Sequence, residues 1–373
     1  LKIVRSNPWE FDSPSRHRFA LTVFELRSAS TSRKARYASV RCVMPAFVGM
    51  THNPILPVNT MATPKPKLLV ICGPTAVGKS DIAVRIAEFV SQEKIGGFRG
   101  AEIISADSRQ LYTGLDIGTG KITLTEMRGI PHHLLDIAHP QDRFTAIQWK
   151  EQAEKAIAEI VARGNLPIIC GGTGFYISTL IDDLGFPEVE ADTEEQKKLE
   201  EMSVDDLFLE LKKVDPNRSS TIDPRNKRRL ARAIIIARAL GSVPQITKPA
   251  EAPYDVCMIG LNLPAEELKA RIHARLLQRL DTGMIQEAER VHSPNGLNLS
   301  YERMEELGLE YRFLSYFLKK ELTREELAER LSQKIWQYAK RQMVWFKRDA
   351  RISWFEPSAY DQIIETIRTF LVT

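Results

Sequence analysis

Three short stretches of this chain are dense in apolar, strand-forming residues. They are Leu68-Leu69-Val70-Ile71-Cys72, Glu102-Ile103-Ile104-Ser105-Ala106 and Leu166-Pro167-Ile168-Ile169-Cys170. Runs without polar alternation are the mark of parallel strands buried on both faces. Elsewhere the period lengthens to that of a helix. Ile82, Ile86 and Phe89/Val90 follow the first run at helical spacing, and Phe175-Tyr176-Ile177 opens a helix after the third. A charged stretch over 192–220 repeats Leu199, Leu207, Leu211 and Val214 as helix contacts, with Leu230 and Ile234 pointing inward after it. Tyr254–Leu263 reads as a return to the sheet, and Leu327, Leu331, Ile335 and Tyr338 stripe a long helix expected from Leu327 to about Arg348. Strands alternating with helices predict an α/β fold around a parallel sheet. The predicted division is a core over 61–186, a helical insertion over 187–253, and a second core part with C-terminal helices over 254–373.

Composition narrows the class. The 373 residues are 43% hydrophobic and 27% charged, with 20 Gly and 20 Pro, which excludes collagen-like, low-complexity and wholly disordered chains. No apolar stretch approaches the roughly 18 residues of a membrane span, so no membrane partner is expected. The four cysteines, Cys42, Cys72, Cys170 and Cys257, form no CxxC pair, which argues against zinc fingers and redox dithiols. Three of them sit in strand-like runs, as small buried residues of a reducing compartment do. Residues 1–60 carry nine Lys or Arg against three acids, or +6, leaving −2 for the rest of a chain whose net charge is +4. A nucleic-acid partner must therefore be met by local basic patches. With Met61 standing just ahead of the first strand, residues 1–60 are expected to be an upstream-extended or disordered segment, or else an Arg- and Ser-rich targeting segment.

The first strand runs into Gly73-Pro74-Thr75-Ala76-Val77-Gly78-Lys79-Ser80, which satisfies G-x-x-x-x-G-K-[ST] at every fixed position. Strand before and helix after is the context this phosphate-binding loop requires. Backbone N–H groups of the loop and helix N-terminus converge on an anion, Lys79 adds a full charge, and the Ser80 hydroxyl is placed to ligate Mg²⁺. The motif leaves open whether the anion is a nucleotide or a diphosphate ester. The second strand ends at Asp107-Ser108-Arg109-Gln110 and the third at Gly171-Gly172-Thr173-Gly174. Carboxyl ends of parallel strands are where open sheets place their ligands. Asp107 there is a metal ligand, a base, or only a turn cap.

The segments "GPTAVGKS", "ISADSRQLYTGLDIGTGK", "IPHHLLDI", "LPIICGGTGFYISTL", "DPRNKRRLARAI" and "YAKRQMVWFKRD" occur in that order. Together they resemble the tRNA dimethylallyltransferases, also called tRNA isopentenyltransferases, over roughly residues 66–350. The resemblance implies a P-loop NTPase-like core with a helical tRNA-binding insertion. It implies transfer of a dimethylallyl group from dimethylallyl diphosphate to N6 of adenine 37, just 3′ of the anticodon, in a monomer working in the cytoplasm with Mg²⁺. Carried over by motif, Asp107 is the general base, Thr173 hydrogen-bonds near the reacting centre, and Arg275 of "EELKARIHARLLQRL" clamps the diphosphate. Contacts to the anticodon stem-loop fall to Asp107, Ser108, Arg109, Gln110, Thr173 and the run Arg228, Arg229, Leu230, Ala231 and Arg232. The bottom-up reading supports that run, since Arg225, Lys227, Arg228, Arg229 and Arg232 concentrate positive charge within eight positions. Lys340, Arg341, Trp345, Phe346, Lys347 and Arg348 interleave aromatics and cations, which suits either a splayed RNA loop or a core seam with snorkelling lysines.

One segment departs from the family pattern. Where relatives commonly carry an arginine and a Gly-Tyr pair, this chain has Glu305, Glu306, Gly308 and Leu309. The zinc-finger tail of eukaryotic relatives is absent, which favours the bacterial type. The rival readings are a P-loop small-molecule or nucleotide kinase and an RNA-binding protein with ATP as a structural ligand. The first leaves the basic insertion without a role, and the second leaves Asp107 and Thr173 without one.

Overall fold

The computed structural model describes residues 65–245 and 251–373, apart from 186, 188 and 190–192. The expected extension over 1–60, Cys42 within it, and the boundary at 186 lie outside the described residues.

Six strands form one sheet: β1 (Lys67–Cys72), β2 (Ala101–Ser105), β3 (His132–His133), β4 (Leu166–Gly171), β5 (Asp255–Leu261) and β6 (Ile352–Phe355). Their order is β3-β2-β4-β1-β5-β6, and every pairing is parallel. β1 lies between β4 and β5, and Leu68 to Cys72 have no exposed surface. That position explains the unbroken apolar run, since a central strand covered on both faces has no side for polar residues. Cys72 pairs with Gly171 on one side and Gly260 on the other, so the carboxyl ends of three strands finish at one level.

β3 and β6 carry no strand signal in the sequence because both are edges. β3 has two residues, and only Ile352 of β6 is buried. Glu102 breaks the apolar pattern of β2 for a local reason. Its buried carboxylate accepts hydrogen bonds from Arg163 Nε (2.9 Å) and Nη2 (2.8 Å) and from Asn165 Nδ2 (2.7 Å), and it meets His133 Nε2 at 2.7 Å on the edge strand.

Helices α1 (Lys79–Glu93), α2 (Leu124–Met127), α3 (Ala146–Ala162) and α4 (Gly174–Ile181) belong to the first core part. α5 (Thr193–Glu201), α6 (Val204–Val214), α7 (Pro216–Thr221) and α8 (Lys227–Leu240) follow, and then α9 (Ala265–Asp281), α10 (Met284–His292), α11 (Tyr301–Glu306), α12 (Leu309–Leu318), α13 (Arg324–Phe346) and α14 (Tyr360–Val372). α5 to α8 share an apolar cluster separate from the main core, built on Leu199, Leu207, Leu211, Ile222, Leu230 and Ile234. Their ends are set by side-chain caps from Ser203, Asp215 and Asn226, and Arg238 pairs with Glu195 and Glu210 at 2.7 Å each to tie three of the helices together. α13 begins three residues ahead of the first apolar position of its stripe. Thr323 and Glu326 form a capping box that adds the extra turn. Among the described residues no helix is long and apolar enough to cross a membrane.

Candidate active site

A cavity of about 490 Å³ opens at the carboxyl ends of the central strands. Its floor is the loop between β1 and α1. Gly73 has φ +142°, and a Cβ there would sit 2.5 Å from the Leu261 carbonyl oxygen, so only glycine lets β1 turn this close to β5. Gly78 caps α1 in a left-handed conformation (φ 101°), and no side chain takes the first-turn N–H groups. Those donors are left for an anion. Thr75, Ala76, Gly78, Lys79 and Ser80 line the cavity. Gly73, Pro74 and Val77 do not, for Val77 is fully buried as an anchor and Pro74 contributes its carbonyl, which accepts from Lys79 Nζ at 2.7 Å. Burial pushes the pKa of Lys79 down; Cys170 and Asp107 pull it back up, and Arg275 lowers it further. Two cations thus converge in a crevice short of water, an arrangement that a polyanion relieves.

Asp107 lines the cavity two residues past the end of β2. Its Oδ1 accepts from the N–H groups of Arg109 (2.8 Å) and Gln110 (3.4 Å), which fixes the carboxylate's direction through the backbone. Thr173, half-buried at the turn after β4, hydrogen-bonds the residue next to Asp107. It is absent from the cavity lining; its Oγ1 accepts from Ser108 N–H (3.1 Å), and its own N–H donates to the Ala106 carbonyl (3.1 Å). It joins the turn after β2 to the turn after β4. Arg275 comes from α9, and Nη2 donates to the Gly120 carbonyl at 3.1 Å. Burial, and then the neighbouring Arg279, push the pKa of Arg275 down, against Glu310, Glu126 and Asp107.

Gln342 lies within the segment YAKRQMVWFKRD, but the sequence assigns it no role at the site. From α13 its Oε1 accepts from Thr75 N–H (2.9 Å) while its Nε2 donates to the Gly172 carbonyl (2.8 Å), locking the phosphate-binding loop to the turn after β4. The approach is close, since a Cβ on Gly172 would meet Nε2 at 2.3 Å. The available signal is a glutamine on the apolar stripe of Leu331, Ile335, Ala339 and Phe346, where a buried amide needs hydrogen-bond partners. Tyr338, from the same helix, and Gly308, Leu309 and Glu310, from the segment that departs from the family pattern, also line the cavity.

Among the described residues no group of three or more His, Cys, Asp or Glu side chains is placed to hold a metal ion. A cation here would take its remaining ligands from a bound phosphate group and from water. That fits Mg²⁺, which commonly uses one or two protein oxygens together with substrate phosphates. Ser80 supplies a hydroxyl at the cavity wall.

Arg109 lines this cavity and also a larger one of about 680 Å³, reached from the side of α8. Lys227, Arg228 and Arg232 face the larger cleft from α8, and Arg143 and Arg303 from the core. Glu306 pairs with both core arginines at 2.9 Å. Arg229 turns the other way, into a third cavity shared with Lys340, Arg341, Trp345 and Arg348 of the α13 end. The basic run thus divides between two faces. Leu230 has no exposed surface and packs in the helical cluster, while Ala231, 6% exposed, lines the larger cleft between Arg228 and Arg232. At the end of α13, Phe346 belongs to the core while Trp345 is 36% exposed, which splits the aromatic pair between seam and surface.

Comparison with known proteins places these features in a lineage. A family profile described as IPP transferase matches residues 110–349. A tRNA dimethylallyltransferase of Staphylococcus carnosus is 38% identical over 324 residues, covering 83% of this chain and 98% of that protein. The crystal structure of the full-length tRNA isopentenylpyrophosphate transferase of Bacillus halodurans superposes with TM-score 0.60 at 34% identity, over 82% of this chain and 97% of that one. A eukaryotic dimethylallyltransferase acting on tRNA gives TM-score 0.64 at 25% identity, over 79% and 76% of the two chains.

Proposed function

The chain belongs to the IPP transferase, or tRNA dimethylallyltransferase, family, and from that premise we propose that it moves a dimethylallyl group from dimethylallyl diphosphate to N6 of adenine 37 in tRNA. Membership sets aside the kinase and the nucleotide-liganded RNA-binding readings. The observation that carries the detailed reading is one crevice in which the phosphate-binding loop, Arg275 and Asp107 meet, joined through Arg109 to a cleft lined by arginines.

The diphosphate binds the free N–H groups of the loop and the start of α1, with Lys79 and Arg275 on it. As the allylic C–O bond breaks, its electron pair goes to the diphosphate, whose charge grows. Groups that meet that charge stabilise the transition state more than the bound donor. The C–N bond forms to the adenine amine, a weak nucleophile because its lone pair is delocalised into the ring. Asp107 takes the proton that N6 loses, with its carboxylate aimed by the N–H groups of Arg109 and Gln110. Ser80, together with the diphosphate, would hold Mg²⁺, which would supply further positive charge to the leaving group. Thr173 acts by holding the Asp107 turn against β4, through Ser108.

The adenine must leave its stack to reach Asp107. The outer cleft gives a route, with Ser108, Arg109 and Gln110 at its inner end. Arg228 and Arg232 meet the phosphates of the anticodon stem-loop on one face of α8, with Ala231 between them on the cleft wall, and Arg229 on the other, while Leu230 holds the helix in place. A strain lacking this gene is expected to yield tRNA without N6-dimethylallyladenosine by nucleoside mass analysis, and the intact gene to restore it. Unchanged prenyl-adenosine in the deletion strain would end this reading.

A further inference from the structure

The loop that meets Arg275 is itself held by a buried anion. The Glu287 side chain, 1% exposed and carried by α10, accepts hydrogen bonds from three successive backbone N–H groups: Asp116 (3.0 Å) and Ile117 (2.8 Å) to Oε2, and Gly118 (2.7 Å) to Oε1. The Tyr311 hydroxyl donates to Oε1 at 2.6 Å. Both oxygens are saturated by donors, as a buried carboxylate requires. Gly118 makes the approach possible, because a Cβ there would lie 2.7 Å from the Tyr311 hydroxyl oxygen.

With its N–H groups turned to Glu287, the loop presents carbonyls to α9. Arg279 Nη1 donates to Gly118 O (3.0 Å) and Ile117 O (3.4 Å), and Arg275 Nη2 donates to Gly120 O (3.1 Å). Gln110 Nε2, from the turn after Asp107, reaches the same Gly120 oxygen at 3.2 Å. The loop has little slack here, since Gly120 has φ +62° and a Cβ would sit 2.5 Å from Arg275 Nη2. One buried carboxylate therefore sets a three-residue stretch that ends two residues before the carbonyl seating the cavity arginine.

We propose that Glu287 is a positioning residue for diphosphate recognition, fixing the 116–120 loop so that the Gly120 carbonyl holds the Arg275 guanidinium toward the phosphate-binding loop. The inference rests on the reading of Arg275 as a diphosphate contact. Glu287→Gln keeps the shape but replaces one accepting oxygen with an NH₂ group. Either Gly118 N–H and the Tyr311 hydroxyl, or the Asp116 and Ile117 N–H groups, then face a donor. Tyr311→Phe removes a single bond and is the milder variant if Glu287→Gln fails to fold.

The test is binding of inorganic diphosphate by calorimetry to the folded wild-type, Arg275→Ala, Glu287→Gln and Tyr311→Phe proteins and to the Arg275→Ala/Glu287→Gln double variant. About tenfold weaker binding is expected for Glu287→Gln, and about threefold for Tyr311→Phe, in line with one or two disturbed hydrogen bonds. The KM for tRNA should stay within about twofold, and Glu287→Gln should add nothing to Arg275→Ala, because both act through one guanidinium. Undiminished diphosphate affinity in folded Glu287→Gln, or in Tyr311→Phe where only that variant folds, overturns the proposal, as does full additivity in the double variant. If Arg275→Ala itself binds diphosphate normally, the reading of Arg275 fails instead.

Discussion

Asp107→Asn is expected to slow prenyl transfer by about 10²–10⁴-fold, the usual contribution of a general base. Asparagine keeps the size of the side chain, and its carbonyl oxygen can still accept from Arg109 and Gln110, so the turn should survive. What is lost is the ability to take a proton from N6. Donor affinity and the Mg²⁺ requirement should hardly change, because Ser80 and the diphosphate still hold the ion. A metal-ligand role gives a different pattern, with a raised Mg²⁺ requirement, weaker donor binding and recovery of rate at high metal. The measurement is transfer to an anticodon stem-loop at saturating donor, titrating Mg²⁺ for both proteins. Recovery of the variant to near the wild-type rate would remove Asp107 as the base.

Lys79→Ala should weaken donor binding and lower kcat together, with kcat falling by about 10²–10³-fold, as when a preorganised donor to a developing anion is removed. Burial disfavours the Lys79 charge, against Cys170 and Asp107, so a bound diphosphate adds a stabilising partner whose effect grows with its own charge. Steady-state kinetics with dimethylallyl diphosphate as the varied substrate measure both effects. Loss of nucleotide binding alone, with transfer intact, would make the loop a nucleotide site.

Local chemistry made the phosphate-binding loop legible in the sequence. Gly73, Gly78, Lys79 and Ser80 must stand at fixed spacing, and the central strand before them must be apolar throughout. Asp107 could be located by the same logic, as a carboxylate at a strand's carboxyl end. Its choice between base, ligand and cap could not, since that depends on what shares the crevice. Arg275 has the spacing of an ordinary helix face, and only the fold buries it against Gly120. Gln342 and Glu287 are further still from a local signal, reaching partners 267 and 171 residues away in sequence. The basic run on α8 shows the converse. Its charge is plain from composition, yet helical geometry sends Arg228 and Arg232 to one cleft, Arg229 to another and Leu230 inward. β3 and β6 were not legible because edge strands of two and four residues need no apolar run.

The central claim is that this phosphate-binding loop holds a prenyl diphosphate as leaving group and needs no nucleotide. It is tested most directly by incubating the purified protein with dimethylallyl diphosphate, Mg²⁺ and an anticodon stem-loop carrying adenine at position 37, with ATP left out. The account predicts, by mass spectrometry, a stem-loop heavier by one five-carbon prenyl unit on that adenine, and one inorganic diphosphate released per transfer. An unmodified stem-loop, or transfer that appears only when ATP is added and hydrolysed, would contradict it.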